Sequence, residues 1–230
     1  MLPNYWMSPE TNSINRLGML HIEHYETLSL DGTWRFQLLK SPTDDSRKRW
    51  TKIPVPGLWT MQPTSDEFFD KPHYTNTQMP WDHVAPEVPQ LNPTGVYERD
   101  FEVPSSWDGK RVVLHLGGYE SVALITIKRG KNNLQIKVTK WSDATYIEDQ
   151  DQWWHGGITR SVKLYATDYV FIERFHTTAG LKADGTTGTL KIDAIIGSIG
   201  GKNVDGYTLR TSIEELPKTK SAQMSQTYKN

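Results

Sequence analysis

Apolar and polar positions alternate with a period of two along most of this chain. In residues 33–40 (TWRFQLLK), Trp34, Phe36 and Leu38 alternate with Arg35 and Gln37, the pattern of a strand with one face in a core and one in water. Residues 95–103 set Tyr97, Phe101 and Val103 against Glu98, Asp100 and Glu102, and residues 134–139 set Leu134, Ile136 and Val138 against Gln135, Lys137 and Thr139. Residues 158–165 alternate again through Val162 and Leu164. Two further runs, 111–116 and 121–127, are almost continuously apolar and β-branched, which predicts strands buried on both faces. Turn residues separate these runs: Asp31-Gly32, the SSWDGK of 105–110 and the GKNN of 130–133.

Little in the chain can be helical. Residues 41–50 allow one turn at most, and seven prolines fall between Pro56 and Pro93, each removing a donor and restricting the residue before it. Five aromatics in that stretch (Trp59, Phe68, Phe69, Tyr74, Trp81) predict that it is ordered despite its length. Many strands and almost no helix predict an all-β fold, a jelly roll or β-sandwich over residues 28–167. Residues 1–27 are polar and irregular, an expected extended arm lying over something else. A boundary is expected near Thr167-Asp168. Beyond it, three strand-like runs (169–175, 188–196, 206–214) are too few for a sandwich of their own, so 168–216 reads as a partial β-module. Residues 217–230 carry no pattern and read as a disordered tail.

Composition narrows the function classes. The 230 residues carry a net charge of −1 with acids and bases interspersed; no basic stripe predicts a nucleic-acid partner, and no long apolar run predicts a membrane span. With no cysteine there is neither a disulfide nor a Cys-ligated zinc. No basic-then-apolar leader opens the sequence, and the expected location is cytoplasmic. G-x-S-x-G, G-x-x-x-x-G-K-[ST] and H-E-x-x-H are all absent.

Residues 141–162 (WSDATYIEDQDQWWHGGITRSV) concentrate four acids, Asp143, Glu148, Asp149 and Asp151, among four aromatics, Trp141, Tyr146, Trp153 and Trp154. Carboxylates accept hydrogen bonds from sugar hydroxyls, and indole faces stack on the C–H face of a pyranose. The same residues also fit a loop whose tryptophans fill the core while its acids face water.

Several segments together resemble the N-terminal part of glycoside hydrolase family 2 β-galactosidases: SINRLG (13–18), SLDGTWRFQLL (29–39), VPGLWTMQ (55–62), KPHYTN (71–76), NPTGVYERDF (92–101) and KWSDATYIEDQDQWWHGGITRSVKL (140–164). The resemblance covers most of residues 1–215. It implies a sugar-binding jelly roll, then an immunoglobulin-like domain, here partial at 168–216, and in the whole enzyme a barrel with two catalytic glutamates. No carboxylate pair in this chain matches that pair, so no catalytic residue is assigned. The resemblance places Asp151, which ends the EDQD motif, in the substrate pocket as a contact to galactosyl hydroxyls and a ligand of Na⁺. Asn76, from the YTN motif, lines the same pocket. Mg²⁺ belongs to the family, but its ligands are not expected here. Glu148 and Asp149 are expected to hold the loop through backbone or arginine contacts, and Trp153 and Trp154 to pack.

One departure concerns stability. A stretch of some two dozen residues that the family carries after the strand matching 121–127 is expected to be missing, because Ile127 runs directly into KRGKNNLQIKV. Its loss predicts an unpaired sheet edge and an uncovered patch of core. The functional expectation is the N-terminal part of a β-galactosidase, binding a β-galactoside and partnering the remaining domains or another subunit. The alternatives are a stand-alone carbohydrate-binding module and a non-functional truncated fragment.

Overall fold

The computed structural model describes residues 4–9, 26–46, 49–62, 70–75, 79–128, 132–148, 151–201 and 203–213. The chain divides into two units, 1–169 and 170–230. In the first, the strands run β1 (Thr27–Ser29), β2 (Gly32–Leu39), β3 (Thr51–Val55), β4 (Gly57–Leu58), β5 (His73–Thr75) and β6 (Thr94–Asp100). They continue as β7 (Arg111–Leu116), β8 (Tyr119–Glu120), β9 (Val122–Lys128), β10 (Asn133–Thr139), β11 (Gln152–Trp154), β12 (Gly157–Ile158) and β13 (Val162–Thr167). The longer helical run expected nowhere is found nowhere among the described residues; only short 3₁₀ turns occur.

Two antiparallel sheets carry the first unit, a five-stranded one in the order β3-β2-β6-β10-β9 and a three-stranded one in the order β1-β13-β7. One core joins their inner faces: Trp34, Phe36 and Leu38 from β2, Tyr97 from β6, Leu134, Ile136 and Val138 from β10, against Leu116, Val162, Leu164 and Ala166. This is a β-sandwich. The period-two runs became its strands because alternation puts each apolar set on the side the opposite sheet covers. Trp59 closes one end. It is fully buried against Gly95 and Gly156, where an added Cβ would lie 2.7 and 2.1 Å from its ring.

The two runs expected to be buried on both faces are instead edge strands. The register lines up Phe36, Tyr97, Ile136 and Ile125 across four strands. The first three are buried, while Ile125 on β9 is 41% exposed and its neighbour Ile127 is 59% exposed. Val112 on β7, at the edge of the other sheet, is likewise exposed. A β-branched run reports preference for a strand but not that strand's place in the sheet, and here both sheets stop at these strands. The expected unpaired edge and uncovered core patch are both present among the described residues. Glu98, expected to face water, is buried on the central strand β6 and pairs with Arg35 at 2.8 Å.

In the second unit, β14 (Val170–Leu181) and β15 (Gly188–Ser198) form a long antiparallel hairpin around Asp184, whose side chain accepts bonds from Thr186 and Thr187. The strand expected at 206–214 does not form at 206–213, where Tyr207 N–H closes a turn onto the Val204 carbonyl. No described strand offers it a ladder, and a lone strand is not stable by itself. Of the expected arm, residues 4–9 are described. Tyr5 is buried there with its hydroxyl 3.1 Å from Thr139 Oγ1. The expected tail, 217–230, lies outside the described residues.

The exposed edge predicts self-association. Replacing Ile125 and Ile127 with lysine should suppress aggregation on heating or concentration, read by light scattering, with a melting temperature within about 4 °C of wild type. Unchanged aggregation would place the sticky surface elsewhere.

Candidate functional site

The stretch from Trp141 enters its course through a buried asparagine. Asn92 Nδ2 donates to the Trp141 carbonyl at 2.8 Å, and the Trp141 N–H donates to Asn92 Oδ1 at 2.9 Å. A capping box between Ser142 and Thr145 then opens the 3₁₀ turn Asp143–Tyr146. Trp141, Trp154 and Val88 form a second small core, onto which Trp6, Met7, Met79, Trp81 and Tyr146 pack. This helps to order the described part of the proline-rich stretch, whose Trp81 packs on this core and whose Trp59 is buried in the main one.

β11 then pairs with β5, setting Trp153 opposite Tyr74 and Trp154 opposite His73. The ribbon therefore has two faces. On the inner one, Trp154 is 3% exposed and packs beside Trp141, which His73 meets edge-on. On the outer one, Trp153 and Tyr74 are 57% and 47% exposed, with ring centroids 5.2 Å apart and planes tilted by 36°. The Tyr74 hydroxyl donates to Asp151 Oδ1 at 2.7 Å. That bond to a carboxylate raises the phenol above its ordinary pKa, since ionising it would set two negative groups side by side.

Beneath the ribbon lies a buried polar group. Lys140 Nζ meets both oxygens of Asp70, at 2.9 and 3.1 Å, and donates to the Lys71 carbonyl at 2.8 Å. The indole Nε1–H of Trp59 donates to Asp70 Oδ2 at 2.8 Å. Burial lowers the pKa of Lys140, and Asp70 opposes that shift. Nearby, Glu120 accepts a bond from the His155 N–H at 2.8 Å, and His155 Nδ1 lies 2.9 Å from Thr60 Oγ1. Burial raises the Glu120 carboxyl above its ordinary value. Glu120, Glu148, Gln152 and Trp154 line part of a cavity of about 210 Å³.

Of the expected site residues, Asp151 stands on the outer face of the ribbon, while Asn76 and Asp149 lie outside the described residues. The ladder does pair Thr75 with Gln152, the sequence neighbours of Asn76 and Asp151. Glu148 makes no arginine contact among the described residues; it is exposed at the cavity. Trp154 packs as expected. Trp153 does not: adjacent residues on a strand point to opposite faces, so the Trp153-Trp154 doublet could bury only one of its rings. Sequence reasoning also missed Tyr74 as the partner of Asp151, and Lys140, Asp70 and Glu120 altogether. No group of three or more His, Asp or Glu able to hold a metal occurs among the described residues. Asp151 offers Na⁺ one hard carboxylate, which fits one position of its shell and no more.

The model of the family described as glycosyl hydrolases family 2, sugar binding domain, matches residues 27–127 and 120–168. The chain belongs to glycoside hydrolase family 2. The two matched segments overlap on β9, the strand after which the family stretch is expected to be missing. The chain is 36% identical to a β-galactosidase of Vibrio cholerae over 189 residues, 67% of this chain and 18% of that protein. To a β-galactosidase of Kluyveromyces lactis it is 34% identical over 199 residues, 71% of this chain and 19% of that one. It therefore spans less than a fifth of the length of these relatives. A β-glucuronidase structure from Ruminococcus gnavus superposes with a TM-score of 0.52 at 16% identity, covering 79% of this chain and 36% of that one. That likeness is one of fold. Among the described residues no helix is long and apolar enough to cross a membrane.

Two outcomes follow from the buried polar group. Lys140→Met strands the Asp70 carboxylate and should cost about 3 kcal/mol in urea unfolding, with Asp70→Asn added on top restoring part of the loss. Additive losses would show that the two residues act independently. For Glu120, a raised folded pKa means that stabilisation by its protonated form is complete below the ordinary 4.5 and is lost as pH rises through the folded value. Glu120→Gln, always neutral and still an acceptor for the His155 N–H, should gain on wild type as pH rises from the ordinary 4.5 through the raised folded value. A stability gap that does not change with pH would contradict this.

Proposed function

We propose that the chain is the N-terminal, sugar-contacting region of a β-galactosidase, which supplies binding and orientation while other carboxylates of the assembly break the glycosidic bond. One observation carries the reading: Asp151, at the end of the EDQD motif, is exposed, accepts a bond from the Tyr74 hydroxyl and forms no ion pair among the described residues. A carboxylate has about four lone-pair positions. Tyr74 occupies one, and the others remain for hydroxyls of a terminal β-D-galactosyl unit. The phenol fixes the carboxylate before the sugar arrives, so less is lost in ordering it on binding. Asn76 shares the pocket in this reading. Asp151 would hold Na⁺ through its carboxylate, and the ion would supply positive charge for the oxygens of sugar hydroxyls. The names of the relatives support the substrate class, and the sugar-binding description of the family supports the role.

Mixing the chain with a barrel-containing remainder of a related β-galactosidase and assaying an aryl β-galactoside tests this. Activity should appear only in the mixture, and Asp151→Asn should lower kcat/KM by about a hundredfold. If the wild-type chain restores nothing, while the matching piece of the related enzyme does, the reading is wrong.

A further inference from the structure

We infer that Trp153 and Tyr74 form a stacking platform for one neutral pyranose ring, with Asp151 as the acceptor for its hydroxyls. This rests on the reading of Asp151 as substrate-facing and adds the groups that hold the ring and the class of ring they take. The two rings are side by side, 5.2 Å between centroids, and both are about half exposed. They are not exposed for want of a core, because the opposite face of the same ribbon buries Trp154. Large aromatic surface left in water beside a fixed carboxylate is surface that a ligand can cover. Aromatic faces attract the C–H bonds lining one side of a pyranose, and they do so without a hydrogen-bond partner in the plane. The Tyr74 hydroxyl, 2.7 Å from Asp151, joins platform and acceptor into one unit, so that a ring seated on the aromatics has its edge hydroxyls at the carboxylate.

The charge sets the class. Asp151 repels a carboxylate, so a hexuronic acid is disfavoured on this platform although uronate-binding relatives share the fold. A bare cation satisfies Asp151 but covers little of the two rings. A neutral hexose satisfies both.

The test is a titration of the ¹⁵N-tryptophan-labelled chain with methyl β-D-galactoside, following the indole N–H signals of its nine tryptophans, with Trp153 assigned from Trp153→Phe. The Trp153 signal should shift saturably at millimolar sugar while that of Trp154 stays in place. By calorimetry with the same sugar, Trp153→Ala should weaken binding roughly five- to tenfold and Trp153→Phe much less, with the other indole signals unmoved as the check on folding. Methyl β-D-glucuronide should bind more weakly than the galactoside, and sodium chloride alone should leave the Trp153 signal unshifted. If Asp151→Asn abolishes galactoside binding while Trp153→Ala leaves it intact, the platform is wrong and the role of Asp151 stands. If neither substitution matters, or no indole signal moves, both are wrong.

Discussion

An ammonium group that is 2% exposed cannot remain charged without a partner, and for Lys140 that partner is Asp70, itself 11% exposed. Such a pair gains little over two well-packed apolar side chains. Breaking it is what costs, because either charge alone would be stranded. The pair therefore acts as a constraint on where chain segments lie. Lys140 directly follows β10, an interior strand of the larger sheet, and Asp70 belongs to the proline-rich stretch far away in sequence. The indole of Trp59, which closes the end of the sandwich, is bonded to the same carboxylate, and the Lys71 carbonyl to the same ammonium.

The ribbon of β5 and β11 depends on that constraint. Two strands of three residues each make a marginal structure in water. This one is supported beneath by Trp154 and Trp141 and held at the entry to β5 by Asp70 and Lys71. With its inner face fixed, the outer face has a defined geometry: Tyr74 beside Trp153, and Asp151 on the Tyr74 hydroxyl. A site made of one carboxylate and two rings is small. In the proposed site, what the sandwich adds is that none of the three would have to be ordered when a sugar arrives.

Reading the sequence recovered the strands because the period of two is a local property, and Trp34, Phe36 and Leu38 declare their face without reference to the rest of the chain. Position within a sheet is not local. The runs holding Val112, Ile125 and Ile127 resemble central strands, and they are edges because no further described strand pairs beside them. The bare edge at β9 is legible in the short run of chain between Ile127 and Leu134, a matter of length and not of residue preference. At the site, the motif singled out Asp151, but Lys140 and Asp70 are seventy residues apart, and nothing in either neighbourhood marks them as partners. Trp153 was misread for a simpler reason: a tryptophan doublet on a strand has to split between two faces, and the alternation rule applied to every other strand applies there too.

Amide hydrogen exchange in Lys140→Met tests the dependence of the site on the buried pair most directly. The account predicts that protection is lost first in His73–Thr75 and Gln152–Trp154, while β2, β6 and β10 keep theirs, since the ribbon is released from a sandwich that remains folded. Uniform loss across all strands, or an undisturbed ribbon, would show that Lys140 and Asp70 do not hold the site in place.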